Sequence, residues 1–183
     1  MEKKLYLYHK VPEKMQGKVL YPLNGLEKVN LELYLKEIKK YDEGHPDRKN
    51  IPGQYIPKLD CKWGDILQLT AIHPEELKKA LVEAGFKDSK ELKFYQIDPE
   101  ILDSQKTIVY LYKDTPEESV PYSENFIDYD SNNLEQHTVI AEVTKKSYQE
   151  RAKKGMSPIL FVGIPHIFHK GQIDISNCPV ITV

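Results

Sequence analysis

The stretch from Asp65 to Gly85, DILQLTAIHPEELKKALVEAG, constrains this chain more than any other, because it reads as a buried strand running straight into a capped amphipathic helix. Leu67, Leu69 and Ala71 alternate with Gln68 and Thr70, which gives one buried face and one face able to hydrogen-bond. Pro74 suits a first helical turn, where its missing N–H is not needed, and His73 falls at or beside the N-cap. Glu75 and Glu76 then sit at the positive end of the helix dipole. Leu77, Ala80, Leu81 and Ala84 follow at helical spacing, and Gly85 can take the left-handed conformation that ends a helix. A strand and helix joined this way need a sheet beside them and a layer to share.

The rest of the pattern supplies both. Lys4 to Val11 reads as a first strand with Leu5, Leu7, His9 and Val11 on one face. Asn24 and Glu27 have capping-box spacing ahead of a short turn at Gly25 to Lys28. A longer helix from Leu31 is expected on Leu31, Tyr34, Leu35, Ile38 and Tyr41, ending near Gly44. Residues 42–58 read as a loop covering one end of the sheet. Strands are expected at 92–97, 107–112 and 138–143, with a helix at 145–154. The apolar ILFVGI at 159–164 reads as a central strand, and 166–175 as a closing hairpin. The fold class predicted is α+β, a mixed, mostly antiparallel central sheet with two to four helices packed on it, in one domain spanning 1–183.

At 183 residues such a domain needs no staple. Two cysteines far apart, Cys61 and Cys178, make a reducing, cytoplasmic setting the simpler reading, with one disulfide left open. The N-terminal MEKKLYLYHKVP has no apolar core of a secretion signal, and no run approaches the roughly 18 apolar residues of a membrane span. A net charge of −2 provides no field for nucleic acid, which is left only a local patch. Arg48 and Arg151 are the only arginines, which argues against a site built on several bidentate clamps. The segment 113–137 sets seven acids against one lysine and is read as a long acidic loop, a lid or a mobile connection, with Phe126, Ile127 and Tyr129 tacking it down.

Several side chains carry chemistry. His9 continues an apolar face, as a ligand contact or as a core histidine satisfied by its neighbours. His166 and His169 have an i, i+3 spacing that an extended chain turns to opposite faces, so no metal site is expected there. The acids around His45 lack a calcium-loop pattern. Glu142, at the end of TVIAEV, is either a buried carboxylate with a raised pKa, able to act as a general base, or an edge residue facing water. No hydrolase, P-loop, dinucleotide or zinc-protease motif occurs.

The order of YLYHKV, DILQLTAI, HPEELKKALVEAG, LKFYQID and TIVYLY resembles the ADP-ribosyltransferase-like family over residues 4–115. The resemblance implies His9 on the adenine-side ribose of NAD, Thr70 on the nicotinamide side, and Glu142 promoting cleavage of the N-glycosidic bond. Glu142 departs from the family's short Q/E-x-E-like turn, being followed by Val143-Thr144-Lys145. The implied activity is NAD-using ADP-ribosyl transfer or NAD glycohydrolysis, with NAD as substrate and an unknown macromolecular or small-molecule acceptor. The alternative is a non-enzymatic interaction domain that uses the acidic 113–137 segment.

Overall fold

The structure, a computed structural model, describes residues 4–13, 15, 17–42, 46–87, 91–111, 123–161 and 163–183. In chain order the elements are β1 (Leu7–Lys10), β2 (Val19–Leu20), α1 (Leu23–Val29), α2 (Leu31–Asp42), β3 (Tyr55–Ile56), β4 (Cys61–Lys62), β5 (Ile66–Leu69) and α3 (Pro74–Glu83). They continue with β6 (Lys93–Ile97), β7 (Thr107–Tyr110), β8 (Phe126–Asp128), α4 (Glu142–Lys153), β9 (His166–Lys170), β10 (Ile173–Asp174) and β11 (Val180–Thr182). The architecture is α+β, and every strand pairing among the described residues is antiparallel.

Two sheets form the frame, one ordered β1-β6-β11 and the other β5-β9-β7-β8. They join at a single bridge, where the Tyr8 amide donates to the Thr70 carbonyl at 2.8 Å and the Thr70 amide donates back at 3.1 Å. Side-chain alternation then builds one core on each face of the four-stranded sheet. Leu67, Leu69, Val109 and Ile167 meet Leu7, Tyr95 and Ile97 of the other sheet. Ile66, Ile108, Tyr110 and Phe168 point the opposite way, onto Trp63, Ile56 and Phe126. Ile51, from the loop expected over one end of the sheet, closes that second core together with Leu59, which follows the loop.

The strand-helix unit forms as its sequence predicts. His73 caps α3, its Nδ1 accepting from the Glu75 amide at 3.3 Å, and Gly85 turns out of the helix at φ 105°. Ala80 and Leu81 pack on Tyr148 of α4, whose hydroxyl donates to the Leu160 carbonyl at 2.6 Å.

Four local expectations are corrected. The TVIAEV segment is not a strand, because no strand edge pairs with it; Val139 and Val143 are exposed, and α4 starts at Glu142. The buried Thr144 hydroxyl fixes that helix by donating to the Gly163 carbonyl at 2.7 Å. The described part of ILFVGI forms turns over α3 and α4, and the central place in the sheet falls to β9. The closing hairpin does not form either, since β9 pairs with β5 and β7 whereas β10 pairs with β2. On α2 Leu33 is buried, while Leu31 and Leu35, expected on its packed stripe, are half exposed at 57% and 50%.

The acidic segment expected at 113–137 is described from residue 123. From 123 onward it is folded on the body, with Phe126 and Leu134 buried and the Tyr129 hydroxyl donating to the Pro99 carbonyl at 3.0 Å. Residues 113–122 lie outside the described residues. Among the described residues no helix is long and apolar enough to cross a membrane.

Leu7 is fully buried where the two sheets meet. Leu7→Ala is expected to lower stability by about 2–5 kcal/mol, measured as the shift in urea midpoint at unchanged m-value.

Candidate functional site

One cavity opens where the sheets part. Thr70, Gln68 and Ile66 turn their backbone groups toward β1, because hydrogen-bonding direction alternates along β5. Past the Tyr8–Thr70 bridge the ladder stops, and the imidazole of His9 takes the place of a backbone partner: its Nδ1 lies 2.9 Å from the Gln68 carbonyl. A carbonyl only accepts, so Nδ1 carries the hydrogen and Nε2 keeps its lone pair. Nε2 has no protein partner among the described residues. The ring is a wedge between two strands.

The space beyond that wedge is a cavity of about 440 Å³, a volume suited to a small organic ligand. His9, Gln68 and Ile66 form its strand wall; Leu20, Tyr21, Leu26, Leu33, Glu37 and Tyr41 line the helical side, with Trp63 and Phe161 completing it. The Gln68 amide makes no side-chain hydrogen bond within the described protein. The Trp63 side chain, 8% exposed, holds a buried Nε1–H without a partner. Removal from water pulls the His9 pKa below the usual histidine value, against smaller opposing pulls from the Gln68 carbonyl and the Glu37 carboxylate. His9 is thereby kept neutral, an acceptor beside an unpaired amide.

The helical wall is held by one close approach. Asn24 of α1 donates through Nδ2 to Asp65 Oδ1 at 2.8 Å, while Asp65 Oδ2 accepts from the Lys62 amide at 2.9 Å. The Asn24–Glu27 capping box is absent, because Asn24 is engaged across the fold instead of at its own helix start. A Cβ on Gly64 would stand 2.6 Å from Asn24 Oδ1, so only glycine admits this contact.

Of the residues singled out by sequence, only His9 lines this cavity. Thr70 is buried at the sheet junction, where its Oγ1 accepts from the Ile72 amide at 3.1 Å. Glu142 is the correction: it stands in the first turn of α4 with its side chain 78% exposed, accepting from Lys145 Nζ at 2.7 Å. That hydrogen bond holds its carboxyl below the usual glutamate value, the reverse of a desolvated general base. Glu37 of α2 is the carboxylate that does line the cavity, and both its oxygens accept from Lys40 at 2.6 Å. Helical spacing of Glu37 against Leu33 and Tyr41 is the sequence signal that could have found it.

His166 and His169 fall on opposite faces of β9, as their spacing predicts. Among the described residues no group of three or more His, Cys, Asp or Glu side chains is arranged to hold a metal ion. Cys61 and Cys178 are free thiols; burial pushes Cys61 up to about 11 and also raises Cys178.

Gly64→Ala is expected to cost about 1–3 kcal/mol in thermal unfolding, and Asn24→Ala in the same background to recover part of that loss. Acid lability follows from the buried His137, His166 and His169 and the half-buried His9. Burial lowers His166 to about 4, and His9, His137 and His169 shift the same way. With folded values below the unfolded value near 6.5, the unfolded chain binds the extra protons, so stability falls as pH drops from about 6.5 toward 4. His166 alone is expected to remove about 2 kcal/mol by pH 5 in urea titrations, and His166→Gln to flatten that dependence. No known family model, no curated protein and no solved structure matches this chain.

Proposed function

We propose that the chain binds a small, flat nitrogen heterocycle of the nucleoside type in the His9 cavity, with NAD as the form implied by the ADP-ribosyltransferase-like resemblance. The observation that carries the reading is the pairing of a neutral His9, its Nε2 lone pair unclaimed, with the unbonded Gln68 amide on one wall of a cavity of about 440 Å³. An exocyclic amine or carboxamide offers the N–H for Nε2 and a complementary face for the amide. Apolar walls and the rings of Trp63, Tyr21 and Phe161 favour a flat body between them.

In the enzymatic form of this proposal, N-glycosidic cleavage needs a carboxylate near the ribose to stabilise the oxocarbenium charge. Glu37 replaces Glu142 in that role, because it lines the cavity and Glu142 does not. The acceptor of an ADP-ribosyl group stays open between water, a small molecule and a macromolecule. The proposed setting is cytoplasmic, in keeping with two free thiols.

Thermal unfolding with NAD, AMP and nicotinamide tests the binding reading. A ligand supplied at a hundred times its Kd is expected to stabilise by about 2.7 kcal/mol, and His9→Ala to abolish the shift. Stabilisation by none of the three, or an equal shift in His9→Ala, overturns it. Release of nicotinamide from NAD tests the chemistry separately: loss in Glu37→Gln with retention in Glu142→Gln supports the assignment, and the reverse pattern removes it.

A further inference from the structure

A second hollow, of about 570 Å³, is lined by Tyr6 just ahead of β1, by Gln96 of β6, His169 of β9 and Asp174 of β10, and by Gln172, Asn177 and Cys178 on either side of β10. Its chemistry is set by a relay of hydrogen bonds. The Thr107 hydroxyl donates to the Asp103 carbonyl at 2.7 Å, which consumes its only hydrogen. The same oxygen lies 2.9 Å from His169 Nδ1 and therefore accepts from it. His169 is locked with its hydrogen on Nδ1 and a lone pair on Nε2. The residue is 6% exposed and lines the hollow, and its Nε2 has no protein partner among the described residues.

Asp98 and Asp174 are the charged residues that line the hollow; Asp98 is already engaged, by Lys4 Nζ at 2.6 Å and the Glu100 amide at 3.1 Å, which leaves Asp174 as the open carboxylate. Asp174 uses Oδ1 for the amide and hydroxyl of Ser176, at 2.8 and 2.6 Å, which leaves Oδ2 unbonded. The amides of Gln96, Gln172 and Asn177 make no side-chain hydrogen bond within the described protein. The acceptor nitrogen of the buried His169, the exposed carboxylate of Asp174 and the amides of Gln96, Gln172 and Asn177 together complement a ligand rich in N–H donors and positively charged.

We propose that this hollow is a second binding site, for a small organic cation of the amine or guanidine class. The guanidinium or ammonium group sits against Asp174, and an N–H reaches His169 Nε2. This site shares no lining residue with the His9 cavity and stands or falls without it.

Agmatine, which carries a guanidinium at one end and an ammonium at the other, is the probe. Titration is read by calorimetry and by long-range 1H–15N spectra of the histidine rings. Saturable binding is expected, with the His169 Nε2 resonance moving most. Asp174→Asn is expected to weaken binding tenfold or more, whereas Glu142→Gln, which removes an equal charge from α4, leaves it within twofold. Absence of saturation, saturation without movement of His169 Nε2, or equal weakening by Glu142→Gln overturns the site.

Discussion

The structure depends on one short piece of antiparallel ladder, the pair of backbone hydrogen bonds between Tyr8 and Thr70. Besides it the two sheets are joined by apolar packing and the His9–Gln68 contact, and a ladder two bonds long gives them a register without fusing them into one surface. Had the pairing continued, β1 and β5 would lie side by side along their length and the His9 cavity would have no floor. It ends because an imidazole occupies the next rung. The bond from His9 Nδ1 to the Gln68 carbonyl satisfies the acceptor that the lost rung would leave buried, and it holds the strands apart by the width of a ring. One side chain thus serves as a substitute for backbone and as the first wall of a site.

The second hollow uses the same device. In both places a fixed acceptor claims the Nδ1 hydrogen, the Gln68 carbonyl in one case and the Thr107 oxygen in the other. In both, desolvation works against the imidazolium form. What results is a neutral ring whose Nε2 can only accept. A neutral acceptor discriminates by hydrogen-bond complementarity, so a donor-bearing ligand would suit either cavity under the proposals above, and the two differ in their surrounding charge.

The parts of the fold readable in the sequence are those whose signals are local. The strand-helix unit carried its own alternation, its proline, its cap at His73 and its stop at Gly85, and each formed in place. The failures came where local preference had no partner to use it. TVIAEV has strand composition, but with no open edge beside it the chain went into α4, and Glu142 changed from a strand residue to a solvated helix start. Asn24 had the spacing of a cap and was taken by Asp65, a residue 41 positions later. The candidate site shows the same division. His9 was legible because a histidine on an apolar strand face is conspicuous in sequence. Glu37, Trp63 and Phe161 were not, because only the crossing of α2, the β4–β5 connection and the turn before β9 brings them to one cavity.

Unpaired polarity gives the cavities a physical meaning beyond shape. A buried donor without a partner costs about 1–3 kcal/mol, and the Trp63 indole N–H, on a residue lining the His9 cavity, is such a group. Phenylalanine at that position would avoid the cost while keeping the edge-on contacts with Phe168 and Tyr110, at 4.8 and 6.5 Å between ring centres. A packing role therefore explains the ring and leaves the nitrogen unexplained. The Gln68 amide raises the same point beside it, since a threonine or valine suits a strand as well and brings no unbonded amide. Polar groups that stability does not require, gathered on the lining of one cavity beside an imidazole with an open lone pair, are what a ligand of matching hydrogen-bond pattern would satisfy.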